Sequence, residues 1–308
     1  MADICSCTSG IVNFGQPICV DSFLRDARLI FVNYLDDSGA VNSIASTDTL
    51  DQTYFDGKFN ATDESQRWYI TETINNVVGE RDDNITQDID NIPFNVRQGN
   101  RMYDGTFYGN VASPTYKKSL DSIACRQMGF FIVDVAGNII GMKNELTGDL
   151  DPIKIQRNTF QSKYKFPSPT EVQNINLKFT WEENETDSDL SYIDAASISV
   201  DMLVQKSMTT VVFDSPATSI TTTTATVVMR YTYGTAFAGQ LYEGAVIGDF
   251  TLLDTGGSPI AITTVTESSA GTYDIVFPVQ PSGDITLSYQ KTSGAGFESV
   301  TDLTITIP

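Results

Sequence analysis

The sequence predicts an all-β protein with one short helix, in which a β-sandwich or barrel-like first domain is followed by a second β-sandwich. Three observations predict it. Apolar residues recur at period two along the whole chain, the spacing of strands with one buried face. A single segment carries helical caps and helical spacing. The composition also shifts near residue 208, in a chain of 308 residues that exceeds what one core of roughly 250–300 residues supports.

In chain order, alternation or apolar enrichment marks strands at residues 27–35, 66–78, 94–97, 102–111, 129–135 and 139–143. The last two are joined by Ala136, Gly137 and Asn138, which supply the small and left-handed-tolerant residues of a hairpin. Between 111 and 129 lies the helix. Ser113 can cap it, Pro114 suits its first position, and Tyr116, Leu120 and Ile123 fall on one face. Farther on, Ile175, Leu177, Phe179 and Trp181 alternate with Asn174, Asn176, Lys178 and Thr180. Ile198, Val200, Met202 and Val204 then alternate with Ser197, Ser199 and Asp201. The acidic stretch 182–191 between them predicts one long hairpin over 172–204.

Two polar stretches interrupt this pattern. Residues 36–65 are rich in Asp, Ser, Thr and Asn, with apolar residues only at intervals such as Tyr54, Phe55 and Phe59. Structureless loops of that length are uncommon in compact domains and often serve binding, so a neighbouring chain is the expected ordering agent, with Asp36, Tyr54, Phe55 and Phe59 as candidate interface residues. The acidic segment 80–90 is a second candidate. Arg97 and Arg101 flank the turn Gln98-Gly99-Asn100. In so acidic a chain they suit ion pairs between subunits, or simply a solvated surface.

From residue 209 cysteine is absent and Thr makes up 21 of the last 100 residues, a β-branched bias. The expected division is 1–208 and 209–308. Seven short strands recur in the second part, at 211–213, 225–233, 250–253, 260–265, 273–277, 285–290 and 303–307. That is the strand count of an immunoglobulin-like sandwich.

Charge and composition then restrict function. There are 19 basic and 39 acidic residues, a net of −20, of which 17 basic and 30 acidic fall in the first 208. Specific nucleic-acid binding is not expected, because phosphate affinity rests on Lys and Arg releasing counterions. The chain has no histidine, which removes His-based nucleophilic triads, His metal ligands and the usual general acid–base. No phosphate-binding loop motif occurs, and Gly294 and Gly296 lack the strand-turn-helix setting of a dinucleotide site. The acidic clusters at 82–90 and 182–189 do not match a calcium loop and read first as solvated loops. No enzyme activity, cofactor or metal is expected. Cys5, Cys7, Cys19 and Cys125 read as free thiols, with a zinc site or a disulfide through Cys19 as the alternatives. The N-terminus does not read as a secretion signal, and no apolar run approaches a membrane span. No membrane partner is expected.

Two resemblances extend this reading. Gly248-Asp249-Phe250 with residues 254–259, 261–265, 271–277 and 282–289 resembles the bacterial Ig-like modules appended to phage and cell-surface proteins. The single helix after paired strands, the long polar loop, the acidic balance and that C-terminal module together resemble the tail tube proteins of long-tailed phages. The resemblance implies a virion structural protein assembled in the host cytoplasm, one that self-associates into rings, six-fold symmetry among the options, and stacks into a tube with other tail proteins. DNA would pass only in transit along an acidic channel, with Glu72 and Asp201 as candidate lumen-facing residues. Two alternatives stay open: another virion part (head decoration, fibre or tail adaptor), or a carbohydrate-binding adhesin using Trp68, Trp181 or tyrosines, against which stands simple core packing of both tryptophans.

Overall fold

The structure, a computed structural model, describes residues 23–89, 92–97, 99–234, 239–291 and 296–308. It is all-β in class, with the strands arranged as sandwiches. The first part comprises β1 (Asp26–Asn33), α1 (Gln52–Phe59), β2 (Trp68–Ile70), β3 (Asn75–Val78), β4 (Ile85–Ile89), β5 (Ile92–Arg97), β6 (Met102–Tyr108), α2 (Pro114–Ile123), β7 (Met128–Asp134), β8 (Ile139–Lys143), β9 (Leu150–Asp151), β10 (Ile153–Lys154), β11 (Gln161–Lys165), β12 (Asn174–Thr180) and β13 (Leu190–Ile193). The second comprises β14 (Thr209–Thr218), β15 (Thr224–Gly234), β16 (Gly239–Leu241), β17 (Phe250–Leu253), β18 (Pro259–Ile260), β19 (Thr264–Ser269), β20 (Thr272–Val276), β21 (Gly283–Lys291), β22 (Phe297–Ser299) and β23 (Leu303–Ile307).

A central sheet runs β13-β8-β7-β1-β2, and an outer sheet runs β11-β12-β6-β3. Successive residues of a strand face opposite ways, and β1 uses both faces. Leu29 and Phe31 join one core, shared with Phe107, Leu177 and Phe179 of the outer sheet. Ile30 and Val32 join a second, with Phe55, Phe59 and Trp68. The central sheet is therefore the middle layer of three, which is why β1 and β7 are buried almost throughout whereas β12 alternates. Between the two sheets Phe130 and Phe179 meet edge to face at 4.9 Å, and Tyr103 stacks on Phe179 at 5.1 Å.

The capped helix forms as its sequence predicts: the Ser113 hydroxyl accepts a hydrogen bond from the Tyr116 N–H at 3.1 Å, Pro114 opens α2, and Leu120 is buried. A second helix was missed. Inside the polar stretch 36–65, Asp51 caps α1 by accepting from the Tyr54 N–H at 2.9 Å. Phe55 and Phe59, four apart and 0% and 2% exposed, close the second core against Trp68. The i, i+4 phenylalanine pair was the available signal. Ordering of this stretch comes from its own chain, which corrects the expectation of a long loop awaiting a neighbour.

The long hairpin over 172–204 is also corrected. β12 pairs with β6 and β11, and β13 crosses to the central sheet to pair with β8. Residues 198–204 form turns, not a strand. Ile198 and Met202, four apart, enter the second core, and buried Arg28 takes the carbonyls of Met202 and Leu203 at 3.2 and 2.9 Å. Those acceptors are no longer free for a ladder. Finally, β5 pairs with β4 and not with β6, so Ile85–Ile89 of the acidic segment forms one strand of a hairpin.

The buried clusters divide along the chain. Two are built from residues between Leu29 and Met202, and the third from residues between Val211 and Ile307. In the second part β14 pairs antiparallel with β15 and parallel with β22, and β21 pairs with β17, β22 and β23. Its core holds a buried polar chain in which the hydroxyls of Tyr242 and Tyr289 lie 2.6 Å apart and Tyr289 donates to Asp249 at 3.3 Å.

Candidate interaction surface

β3 and β6 pair antiparallel at Asn75–Thr106 and Val78–Asp104, and the pairing continues beyond the outer sheet. The Met102 N–H donates to the Glu80 carbonyl at 2.9 Å, Arg81 bridges Arg101, and the Asp82 N–H donates to the Asn100 carbonyl at 2.8 Å. β4 and β5 then run out as a hairpin arm that, among the described residues, pairs with no other strand. Its root needs glycine at position 99: a Cβ there would lie 2.0 Å from the Asp82 carbonyl oxygen.

The root is held by a cluster of charges. Arg81 donates to both carboxylate oxygens of Asp187, at 3.2 and 3.0 Å, and to the carbonyls of Gly99 and Glu185 at 2.9 and 3.2 Å. Arg101 also pairs with Asp187 and lies 4.4 Å over the Trp181 ring. Hydrogen bonds from Arg81, joined by those from Arg101, hold the Asp187 carboxyl below the usual carboxylate range against the opposing effect of burial. Two neighbouring carboxyls are pushed the other way. Burial raises Glu185 to about 7, opposed by the Lys154 N–H and charge and reinforced by Asp151 and Glu182. Burial raises Asp26 to about 6, opposed by Tyr103 and Arg101.

Beyond the root, residues 82–88 are all exposed. Arg81 and Arg101 share the single charge of Asp187 at the root, and the arm presents Glu80, Asp82, Asp83 and Asp88 together with exposed Ile85 and Val96, the latter 59% exposed. The period-two run Ile92, Phe94, Val96 was its sequence signal.

The open face of the outer sheet has the opposite character. Cross-strand registers set Gln161, Lys178 and Asp104 in one row, Lys163, Asn176 and Thr106 in the next, and Lys165, Asn174 and Tyr108 in a third. Lys165 pairs with Glu171. Asp104 accepts a hydrogen bond from the Asn176 amide at 2.5 Å. Lys163 and Lys178 form no ion pair among the described residues. The face ends at Phe166 and Val172, 77% and 58% exposed.

The candidate residues read from the sequence are distributed differently from expectation. Asp36 forms its own turn, accepting from the N–H groups of Ser38 and Ala40, both at 2.9 Å. Phe55 and Phe59 are core, and half-buried Tyr54 packs edge to face on Phe55. Arg101 is engaged within its own chain, with Asp187 and Trp181. Arg97 contributes its backbone to β5, opposite Ile85. Glu72 and Asp201 are exposed but lie outside the strands, which corrects their placement on a strand face. The fold brings them together around Arg28, whose guanidinium burial pushes below its ordinary value while both carboxylates oppose that shift. Trp68 and Trp181 are buried, so neither offers an exposed platform for sugar. Cys125 is an exposed free thiol, and Cys5, Cys7 and Cys19 lie outside the described residues.

Among the described residues no group of three or more His, Cys, Asp or Glu side chains is arranged to hold a metal ion, and no helix is long and apolar enough to cross a membrane. No protein-family model matches the chain, and no curated protein matches it.

Proposed function

We propose that this chain is a structural subunit that assembles with copies of itself, a tail tube protein of the long-tailed phage kind carrying an Ig-like C-terminal domain. The observation that carries the proposal is the β4–β5 arm, which extends from the outer sheet and among the described residues pairs with no third strand. A two-stranded hairpin is marginal by itself in water and gains stability by packing on a further surface. In a homo-oligomer that surface belongs to another copy. The assembly role thus moves from residues 36–65, which build their own core, to residues 80–101. The parallel β14–β22 pair, closing two antiparallel groups of strands over one core, supports the Ig-like reading.

The test uses the purified full chain. Sedimentation and negative-stain microscopy are expected to show concentration-dependent rings or tubes, and replacing residues 82–97 by a short glycine turn is expected to yield folded monomers. A wild-type chain that remains monomeric throughout the micromolar range overturns the reading.

A further inference from the structure

We infer that the surface receiving the acidic β4–β5 arm is the lysine-bearing open face of the outer sheet on a second copy of this chain. The inference rests on the self-assembly reading above and assigns its partner surface.

Charge complementarity selects the pair. In a chain of net −20, a sheet face on which Lys163 and Lys178 form no ion pair among the described residues, and whose rows carry the single carboxylate of Asp104 opposite Lys178, is suited to an acidic partner. Lys163 and Lys178 stand diagonally across the β11–β12 register, within reach of one another's ligands. Each unpaired ammonium repels the other and gains from a carboxylate placed between them. The arm supplies carboxylates at Asp82, Asp83 and Asp88, all exposed. Apolar surface matches as well: Ile85 and Val96 on the arm have a counterpart in Phe166 and Val172 at the end of the sheet. Contact between these groups buries exposed apolar area on both sides while the charges set the register.

The arm does not serve its own face. It leaves the outer sheet along the strand direction at the Val78–Asp104 end, in the row that also holds Lys178, whereas Lys163 stands one row farther along and Phe166 and Val172 lie at the opposite end, beside Lys165 and Asn174. Arm and receiver are different surfaces, so the contact is head to tail, the geometry that closes rings or extends filaments. A nucleic acid is the other polyanion that fits lysines. The net charge of −20 repels nucleic acid and a second copy alike at distance, and the copy is favoured because its arm also brings the apolar Ile85 and Val96 to Phe166 and Val172, which a phosphate backbone does not.

The test compares self-association of full-length variants whose folding is verified by circular dichroism: Lys163→Glu with Lys178→Glu, Asp82→Lys with Asp83→Lys, and the four together. Each double variant is expected to weaken association about tenfold or more, and the fourfold variant, with the charges exchanged, to recover most of it. Salt is expected to weaken the wild-type contact. Association unchanged by the lysine reversal, in a chain whose arm deletion is monomeric, overturns the assignment of the receiver and leaves self-assembly standing. Association that survives arm deletion overturns the assembly reading itself. Duplex DNA retained by the wild type at 150 mM salt and lost on lysine reversal, with association intact, reassigns the face to nucleic acid.

Discussion

Arg67 donates through Nη1 to Glu298 Oε1 at 2.7 Å, joining a turn beside the second core of the first part of the chain to β22 of the second part across 231 positions of sequence. The Arg67 side chain is only 5% exposed and also holds the carbonyls of Ala61 at 2.7 Å and Thr62 at 3.4 Å. Truncating Arg67 leaves these acceptors without a donor, whereas truncating Glu298 leaves the guanidinium with two of its three partners. Arg67→Ala is expected to lower stability by about 2–3 kcal/mol and Glu298→Ala by about 1 kcal/mol, measured by urea unfolding. Equal losses would contradict this asymmetry.

Gly296 lies against the same seam. A Cβ at this position would meet Asn60 Oδ1 at 2.0 Å and the Lys291 carbonyl oxygen at 2.9 Å. Gly296→Ala is expected to separate a coupled thermal transition into two calorimetric steps, one for each core. A single unchanged transition would show that the two parts do not depend on this approach.

Phe59 tests the reassignment of residues 36–65 from interface to core. Its ring stacks on Phe55 at 5.9 Å and faces Trp68 at 6.4 Å. Phe59→Ala is expected to destabilise the monomer by about 3–5 kcal/mol, the range for emptying a buried aromatic site. Loss of assembly with unchanged monomer stability would restore the interface role.

Asp187 ties both arginines at the arm's root. Asp187→Asn removes the charge that Arg81 and Arg101 share, and amide exchange at Asp82 and Met102, whose N–H groups close the root ladder, is expected to accelerate about tenfold. Exchange confined to wild-type rates would place the anchoring elsewhere.

The pH dependence follows from Asp26 and Glu185. Both carboxyls titrate higher in the folded chain, at about 6 and about 7, than their ordinary values of 3.8 and 4.5. The native state therefore holds protons that the unfolded chain has released. Their contribution is complete below about pH 4 and is lost as pH rises through 6 to 7. Asp26→Asn with Glu185→Gln is expected to flatten the decline in stability between pH 4.5 and 7.5. A wild-type profile that rises across this interval would contradict the burial of these groups.

How much was legible depended on the range of the determining interactions. The α2 caps, the alternation of β12 and the Ala136-Gly137-Asn138 turn are written within a few neighbouring residues, and each formed where the pattern placed it. The alternation at 198–204 misled because the same apolar spacing also suits two residues four apart, Ile198 and Met202, packed from a turn. What decided there was Arg28, 174 positions away from Met202, a distance no local window spans. The polar stretch 36–65 misled for a related reason: an eight-residue helix with two buried aromatics is a weak signal against a background of Asp, Ser and Thr.

By itself, the sequence determined the all-β class, the capped helix and the acidic character that argues against nucleic-acid affinity, because propensity, capping and net charge are properties of short segments or of the sum. Only the tertiary structure decided which strands pair, which polar residues share a face and which charges neutralise one another. Arg101 and Asp187 became an internal pair, Glu72 and Asp201 gathered at Arg28, and Lys163 and Lys178 were left facing solvent. The physical reason is that cross-strand register joins residues distant in the chain, and a charge is committed or free according to what that register sets beside it.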